Sequence, residues 1–201
     1  MKTLIITLSL FTLVAFTGVR GGLSKGERTA AVEEMNSSHD HLLIALRNLS
    51  EEQLNFKSDS DSWSIAECVE HITISEMTFS EMIQGLLQTP ANPKNRAEIK
   101  LSDKDLIAMI VDRSQKVKTQ KPFEPTGKFG SHAATLEAFK TKRAVNIEFV
   151  KTTDADLRNR TQPFPFGTVD AYQVLLFMSA HTERHVRQIE EIIVHENFPK
   201  K

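Results

Sequence analysis

Apolar residues recur every three or four positions along most of the chain, which is the period of an amphipathic helix. The pattern predicts helices at 25–49, 63–88, 103–118, after Gly130 to about 152, and from Thr168 or Asp170 to about 195. Prolines, glycines and polar runs separate them, and we find no internal repeat and no convincing strand pair. We therefore expect an all-α fold, an up-and-down four-helix bundle with 103–118 as a short inserted helix.

Two local signals refine this pattern. Ser62 or Ser64, followed by Glu67, has the spacing of a capping box and marks the start of the second long helix. The segment 161–167 contains Pro163 and Pro165, and two prolines so close together exclude a helix. We expect this segment to cross the surface in an extended conformation and to bring its phenylalanines to the bundle.

The fold prediction leaves out the first 21 residues, which have the pattern of a signal peptide. Lys2 precedes an apolar run at 4–17, which is shorter than the roughly 18 residues of a membrane span and is typical of a signal peptide. The cleavage pattern at 19–21 is imperfect, so a cleaved signal and an uncleaved anchor both stay open. We expect an exported protein, periplasmic or extracellular rather than cytoplasmic, with one domain at 24–198 and no other membrane insertion.

Composition narrows the choice of partners. The 201 residues carry 25 basic and 26 acidic side chains, without a basic stripe, so we do not expect nucleic-acid binding. Cys68 is the only cysteine, which excludes an intramolecular disulfide. Because Cys68 lies far from the apolar run, we do not expect a lipid anchor. A small molecule is the expected partner, and pairing of two chains through bundle faces is left open.

Histidines supply the chemistry. His181 and His185 are four residues apart on the apolar seam of the last helix, so both imidazoles project from one face toward the bundle centre. Buried imidazoles need partners, and His71 at the inward phase of the second long helix would provide one. Glu183 does not directly follow the first histidine, so this is not the zincin motif of metalloproteases. The pair alone leaves open a metal site or two hydrogen-bonded helix histidines.

Three segments resemble the DinB-like superfamily: WSIAECVEHI at 63–72, PFG at 165–167 and HTERHVRQI at 181–189. The resemblance spans nearly all of the chain after residue 24. It implies a four-helix bundle in which His71, His181 and His185 hold a divalent metal, zinc or nickel in the first place and manganese or iron as alternatives. Some relatives are thiol transferases or isomerases that use bacillithiol or mycothiol, and others are described as metal-dependent hydrolases.

Three nitrogen ligands leave positions open on the ion, which is typical of a catalytic site. We therefore expect a metal-dependent enzyme, a hydrolase or a thiol S-transferase, that activates water or a thiol for attack on a small molecule. Glu67, one turn before His71, is a candidate general base with helix capping as its alternative role. The competing hypothesis is a non-catalytic protein that binds a metal or a small ligand.

Three further residues are candidates for an additional pocket near the metal. His39 lies on the apolar seam of the first helix, and Arg143 and Asn146 face inward on the fourth. His39 would be a fourth metal ligand or a substrate contact, or else a core residue, since a lone histidine on an apolar seam is more often hydrogen-bonded within the core. Arg143 and Asn146 would contact a polar substrate or extend along the bundle edge toward water. Cys68, three residues before His71, is expected to be a small core residue.

Overall fold

The computed structural model describes residues 21–200, so the predicted signal segment lies outside it almost entirely. Six α-helices and one two-stranded sheet follow in chain order: α1 (Lys25–Ala45), α2 (Glu51–Asn55), α3 (Ile65–Leu87), α4 (Asp103–Val111), α5 (His132–Thr152), β1 (Thr161–Phe164), β2 (Gly167–Asp170) and α6 (Ala171–Ile193). Short 3-10 turns occupy Pro93–Glu98 and Lys121–Phe123. None of the helices between residues 21 and 200 has the length and apolarity that a membrane span needs.

Local sequence fixes where the helices begin. Ser64 accepts a hydrogen bond from the backbone N–H of Glu67, whose side chain accepts one from the N–H of Ser64, so the predicted capping box starts α3. Ser24 and Asp170 form equivalent boxes at α1 and α6. Each box satisfies backbone donors that the first helical turn leaves without partners.

Two predicted helices are shorter in the structure. The first helix ends at Ala45, because Asn48 adopts a positive φ of 59° and the chain then turns into α2, a five-residue helix that periodicity alone did not indicate. The third predicted helix ends at Val111 and not at 118. There, the carboxylate of Asp112 accepts a hydrogen bond from the N–H of Ser114, which replaces the helical pattern with a turn.

The prediction of an all-α four-helix bundle is confirmed, with α1, α3, α5 and α6 as the long helices. α3 packs against α5 and α6, α6 also packs against α1, and α4 packs on α6. Successive long helices alternate in direction with one exception: α3 and α5 run parallel, since Thr73 meets Thr135 at one end and Ser80 meets Asn146 further along. Strict up-and-down order is broken here because residues 88–131 lead back along the bundle before α5 begins.

A buried polar network lies at the centre of the bundle. The Arg143 guanidinium donates two hydrogen bonds, at 2.9 and 2.8 Å, to the carboxylate of Glu76, and Asn146 donates a third to the same carboxylate. Arg143 also donates to the carbonyl oxygen of Met35 and to the hydroxyl of Thr182. One fully buried side chain on α5 thereby connects α1, α3 and α6.

The segment 161–167 is extended, as predicted, but it also forms a hairpin that the sequence did not indicate. β1 pairs antiparallel with β2, and Phe164 lies opposite Gly167 across a two-residue turn. Gly167 has a φ of 135°, a region that residues with a Cβ atom seldom adopt. The pairing was missed because prolines in both the strand and the turn argue against a strand, whereas here Pro163 lies in a two-stranded edge.

Gly167→Ala is expected to lower the free energy of unfolding by about 1–3 kcal/mol. A Cβ at this position would meet no atom within 4 Å, so the loss would report backbone strain and not a clash. Gly85→Ala, in α3 with equally open surroundings, is the control and should raise stability by up to about 1 kcal/mol. Urea unfolding followed by circular dichroism measures both, and equal effects at the two positions would contradict the argument.

Candidate metal centre

The structure brings the three predicted histidines together. His181 and His185 lie one turn apart on α6, and His71 faces them from α3. The Nε2 atom of His181 is 3.2 Å from Nε2 of His71 and 3.2 Å from Nε2 of His185. One nitrogen from each ring lies within 4.8 Å of the others. No carboxylate or thiol joins this group anywhere in residues 21–200.

Neighbouring acceptors orient two of the rings. Nδ1 of His71 lies 2.7 Å from the carbonyl oxygen of Phe123, and Nδ1 of His185 lies 2.9 Å from the side-chain oxygen of Gln188. A carbonyl oxygen only accepts, so both Nδ1 atoms carry the proton and donate. The lone pairs of these two rings are therefore on Nε2, the atom that faces the cluster.

All three rings are neutral near pH 7. Burial lowers the pKa of His71 and lowers that of His185 to about 3. Burial also lowers the pKa of His181 well below its ordinary range, and the two neighbouring imidazoles lower it further. A neutral imidazole is the form that binds a metal, so the site needs no deprotonation before an ion can enter.

The donor set fits a divalent ion. Zinc–nitrogen bonds of about 2.0–2.1 Å in a tetrahedral arrangement place two ligand nitrogens roughly 3.3 Å apart. The two measured nitrogen–nitrogen distances of 3.2 Å are close to this spacing. Because no fourth side chain completes the group in the described residues, a bound ion would keep at least one position for a small molecule.

A cavity of about 490 Å³ opens from the cluster. Its wall is mainly apolar and contains five phenylalanines: Phe79, Phe123, Phe164, Phe166 and Phe177. Besides the histidines, its polar residues include Ser75, Lys118, Gln120 and Arg184, and no Asp or Glu among residues 21–200 lines it. The volume lies within the range of small-molecule sites, and the three histidines are part of the lining.

Residues 112–131, here called the strap, close one side of the cavity. The ring of His71 donates a hydrogen bond to the carbonyl oxygen of Phe123 in the strap. The carboxylate of Glu70 also holds the strap, because it accepts hydrogen bonds from the backbone N–H groups of Thr126, Gly127 and Lys128 at 3.2, 2.9 and 2.9 Å. Glu70 is buried and directly precedes His71. One short stretch of α3 therefore supplies both a ring of the histidine cluster and the anchor of the loop that orients this ring.

The strap has a second anchor on α6. Arg184 donates to the carbonyl oxygens of Ile110, Asp112 and Gln115, which lie at the end of α4 and the beginning of the strap. Arg184 stands between the two α6 histidines in sequence. Its guanidinium is therefore engaged with backbone and fixes the strap against the helix that carries the site.

Glu70→Gln is expected to weaken metal binding by roughly 10–100-fold while the bundle stays folded. An amide has one acceptor oxygen instead of two, so part of the set of three N–H groups would lose its partner, and Phe123 would orient His71 less well. Competition with a fluorescent zinc chelator measures the affinity. Glu137→Gln, on an exposed residue paired with Lys140, is the control. Unchanged affinity in Glu70→Gln would contradict a role for the strap.

The structure places the other candidates away from the cluster. Glu67 is engaged in the capping box and in an ion pair with Lys57 at 2.8 Å, and it does not line the cavity. Its carboxylate thus has the capping role that the sequence left as an alternative. Cys68 is fully buried in the apolar core, and burial raises the pKa of its thiol to about 12, as expected of an unreactive core residue.

The structure does not place His39, Arg143 and Asn146, the residues of the predicted additional pocket, at the histidine cluster. Arg143 and Asn146 belong to the central network with Glu76, which consumes their hydrogen-bonding groups. His39 stacks on Phe139 and bonds to the neighbouring Asp40. None of the three lines the aromatic cavity. An inward phase on a helix therefore identified core residues and did not identify pocket residues.

Glu183 lies on the opposite side of α6, as its position in the sequence predicted. It pairs with His41 on α1 at 2.9 Å and with Arg187 at 3.1 Å. Hydrogen bonds from His41 to Glu183 and Glu190 raise the pKa of His41. A wider groove of about 1070 Å³ runs between α1, α4 and α6 along this side, and no member of the histidine cluster lines it. The donor set, and not cavity size, therefore identifies the candidate site.

Comparison with known proteins agrees with this geometry. A family model described as the DinB superfamily matches residues 34–189. The uncharacterized protein YuaE of Bacillus subtilis (strain 168) is 28% identical over 151 residues, covering 73% of this chain and 87% of that protein. A solved structure of YfiT from Bacillus subtilis, described as a probable metal-dependent hydrolase with an unusual four-helix bundle topology, matches with a TM-score of 0.52 and 16% identity over 86% of this chain and 89% of that one. The chain belongs to the DinB superfamily.

Proposed function

We propose that the protein is a metal-dependent enzyme that hydrolyses a small molecule, with His71, His181 and His185 as the metal ligands. The observation that carries this proposal is the convergence of three neutral imidazoles in the lining of a cavity of about 490 Å³. The description of YfiT as a probable metal-dependent hydrolase supports the reaction class. Zinc and nickel are the first candidates for the ion, because imidazole nitrogen suits both, with manganese and iron as alternatives.

Each part of the site has a role in this proposal. A divalent ion would supply Lewis acidity and favour deprotonation of water or a thiol. The carbonyl oxygen of Phe123 and the side chain of Gln188 hold two rings with Nε2 toward the ion. The phenylalanines of the cavity would limit the contact of the reacting group with bulk water, which would strengthen its electrostatic interactions.

The location of the protein bears on the choice between water and a thiol. We propose from the apolar run at 4–17 that the protein is exported. Low-molecular-weight thiols are scarce outside the reducing cytosol, so an exported enzyme is better matched to hydrolysis than to thiol S-transfer. Thiol transfer remains the alternative reaction at the same site, and it would gain support if the protein were retained in the cytosol.

A non-catalytic metal or small-ligand carrier is the second candidate function. The observation that favours it is that the part of the chain which the structure describes contributes no Asp or Glu to the lining of the cavity, since a carboxylate near the ion is a common general base. The two functions separate on turnover. A carrier would hold the metal and a ligand yet leave a panel of nitrophenyl esters unchanged, whereas a hydrolase would consume at least one of them in a metal-dependent way.

Elemental analysis of protein purified without a polyhistidine tag tests the site itself. About one equivalent of divalent metal is expected in the parent, with loss from His71→Ala and His181→Ala because two nitrogens bind a divalent ion far more weakly than three. His39→Ala should keep the metal, since His39 bonds to Asp40 outside the cluster. A folded parent that takes up neither zinc nor nickel nor the alternative metals would overturn the proposal.

A further inference from the structure

Aromatic rings line the cavity as far as the histidines. Phe177 lies edge-on to Phe79 at 4.9 Å between ring centroids, and it stacks on His181 at 5.5 Å with an interplanar angle of 13°. Phe164 and Phe166 of the hairpin contact the ring of Phe177, with centroid distances of 5.4 and 5.9 Å. Flat apolar groups pack well against such walls, by offset stacking or edge-to-face contact.

One polar group within this wall has no partner. Ser75 lies one turn after His71 and one turn before Phe79 on α3, and all three line the cavity. Ser75 is only 2% exposed, and its hydroxyl is unpaired within the described part of the chain. Other buried helix hydroxyls have partners: Thr73 donates to the carbonyl oxygen of Val69 at 2.8 Å. An unpaired buried hydroxyl is destabilising, so a ligand that pairs with it gains affinity.

We propose that the cavity selects an aryl compound with one hydrogen-bonding oxygen, such as an aryl ketone, ester or amide, and that Ser75 is the specificity residue that donates to this oxygen. The inference rests on the proposed function, because it places this oxygen beside the three histidines. Arg184 in the lining is engaged with backbone carbonyls, and Lys118, the other cation that lines the cavity among the described residues, is exposed. The part of the wall formed by Phe79 and Phe177 therefore favours an uncharged body over a sugar.

The test uses two probes of nearly the same shape, acetophenone and α-methylstyrene, which differ by a carbonyl oxygen in place of a methylene group. NMR titration of the metal-free protein gives the dissociation constant of each, and it locates the bound probe from the amides that shift. Acetophenone is expected to bind the parent roughly 3–10-fold more tightly than α-methylstyrene, the size of one net hydrogen bond. The shifts should fall on α3, the hairpin and α6.

Ser75→Ala should remove this preference and leave the affinity for α-methylstyrene unchanged. Ser179→Ala is the matched control, since Ser179 is equally buried on α6 but bonds to the carbonyl oxygen of Leu175 and does not line the cavity. Equal binding of the two probes by the parent, a preference that survives in Ser75→Ala, or no binding of either probe would each overturn the inference. Metal content is measured separately, so failure of the metal site is distinguishable from failure of the aryl cavity.

Discussion

Arg143→Met is expected to lower the free energy of unfolding by about 3–5 kcal/mol, the largest effect of any single change outside the metal site. Methionine fills similar space but leaves the carboxylate of Glu76 buried, with Asn146 as its remaining donor. The carbonyl oxygen of Met35 and the hydroxyl of Thr182 would each lose a donor as well. A charge without its partner in an apolar interior costs much more than the lost hydrogen bonds alone. Urea unfolding of the metal-free protein measures the loss.

Arg187→Met is the matched control, because Arg187 is half exposed and pairs with Glu183 along one helix face. An exposed pair of this kind contributes roughly 0–1 kcal/mol. Adding Glu76→Gln to Arg143→Met should recover part of the loss, since the amide removes the buried charge and still accepts from Asn146. A loss no larger than that of Arg187→Met would contradict the central role of the network. Losses that simply add in the double variant would show that the two residues do not act as a pair.

Helix positions were predictable because their determinants are local. The predicted 63–88 became Ile65–Leu87, and the predicted helix from Asp170 to about 195 became Ala171–Ile193. Caps and apolar period act over one or two turns, so a single sequence reveals them. The parallel run of α3 and α5 has no such local signature, because it depends on the path of a long connection around the bundle. The hairpin likewise has no local signature, because it forms by pairing across a turn and its two prolines argue against a strand.

The candidate ligands of the site could be predicted from the sequence, whereas the groups that orient them could not. His71, His181 and His185 stand out because imidazoles on apolar seams are unusual and their spacing places them on inward faces. The acceptor for His71 is a backbone carbonyl at Phe123, and a carbonyl carries no signal in the sequence. Glu70 did offer one, since a carboxylate buried beside a ligand histidine needs partners, but those partners lie in the strap more than fifty residues away.

The metal-free protein is expected to lose stability as the pH falls from about 6.5 to 5. Burial holds the pKa of His185 at about 3 in the folded state against 6.5 when exposed, so protons bind the unfolded chain first. The contribution of neutral His185 to stability is complete above pH 6.5, and it is lost as the pH falls toward the pKa of His185 in the folded protein. At pH 5 the loss from His185 alone is about 2 kcal/mol, and His71 and His181 add to it because their pKa values are also lowered. Urea unfolding at several pH values measures the slope.

Two variants separate this effect from general acid denaturation. His185→Gln does not titrate, so its stability should fall less steeply between pH 6.5 and 5 than that of the parent. The stability of His41→Gln should fall more steeply than that of the parent. Glu183 and Glu190 raise the pKa of His41, so the protonated His41 stabilises the fold at low pH, and this stabilisation is lost as the pH rises through the raised pKa. Saturating zinc should delay the loss in the parent, because the ion then competes with protons for the same nitrogens. Parallel curves for the parent and His185→Gln would show that the buried cluster does not control the acid response.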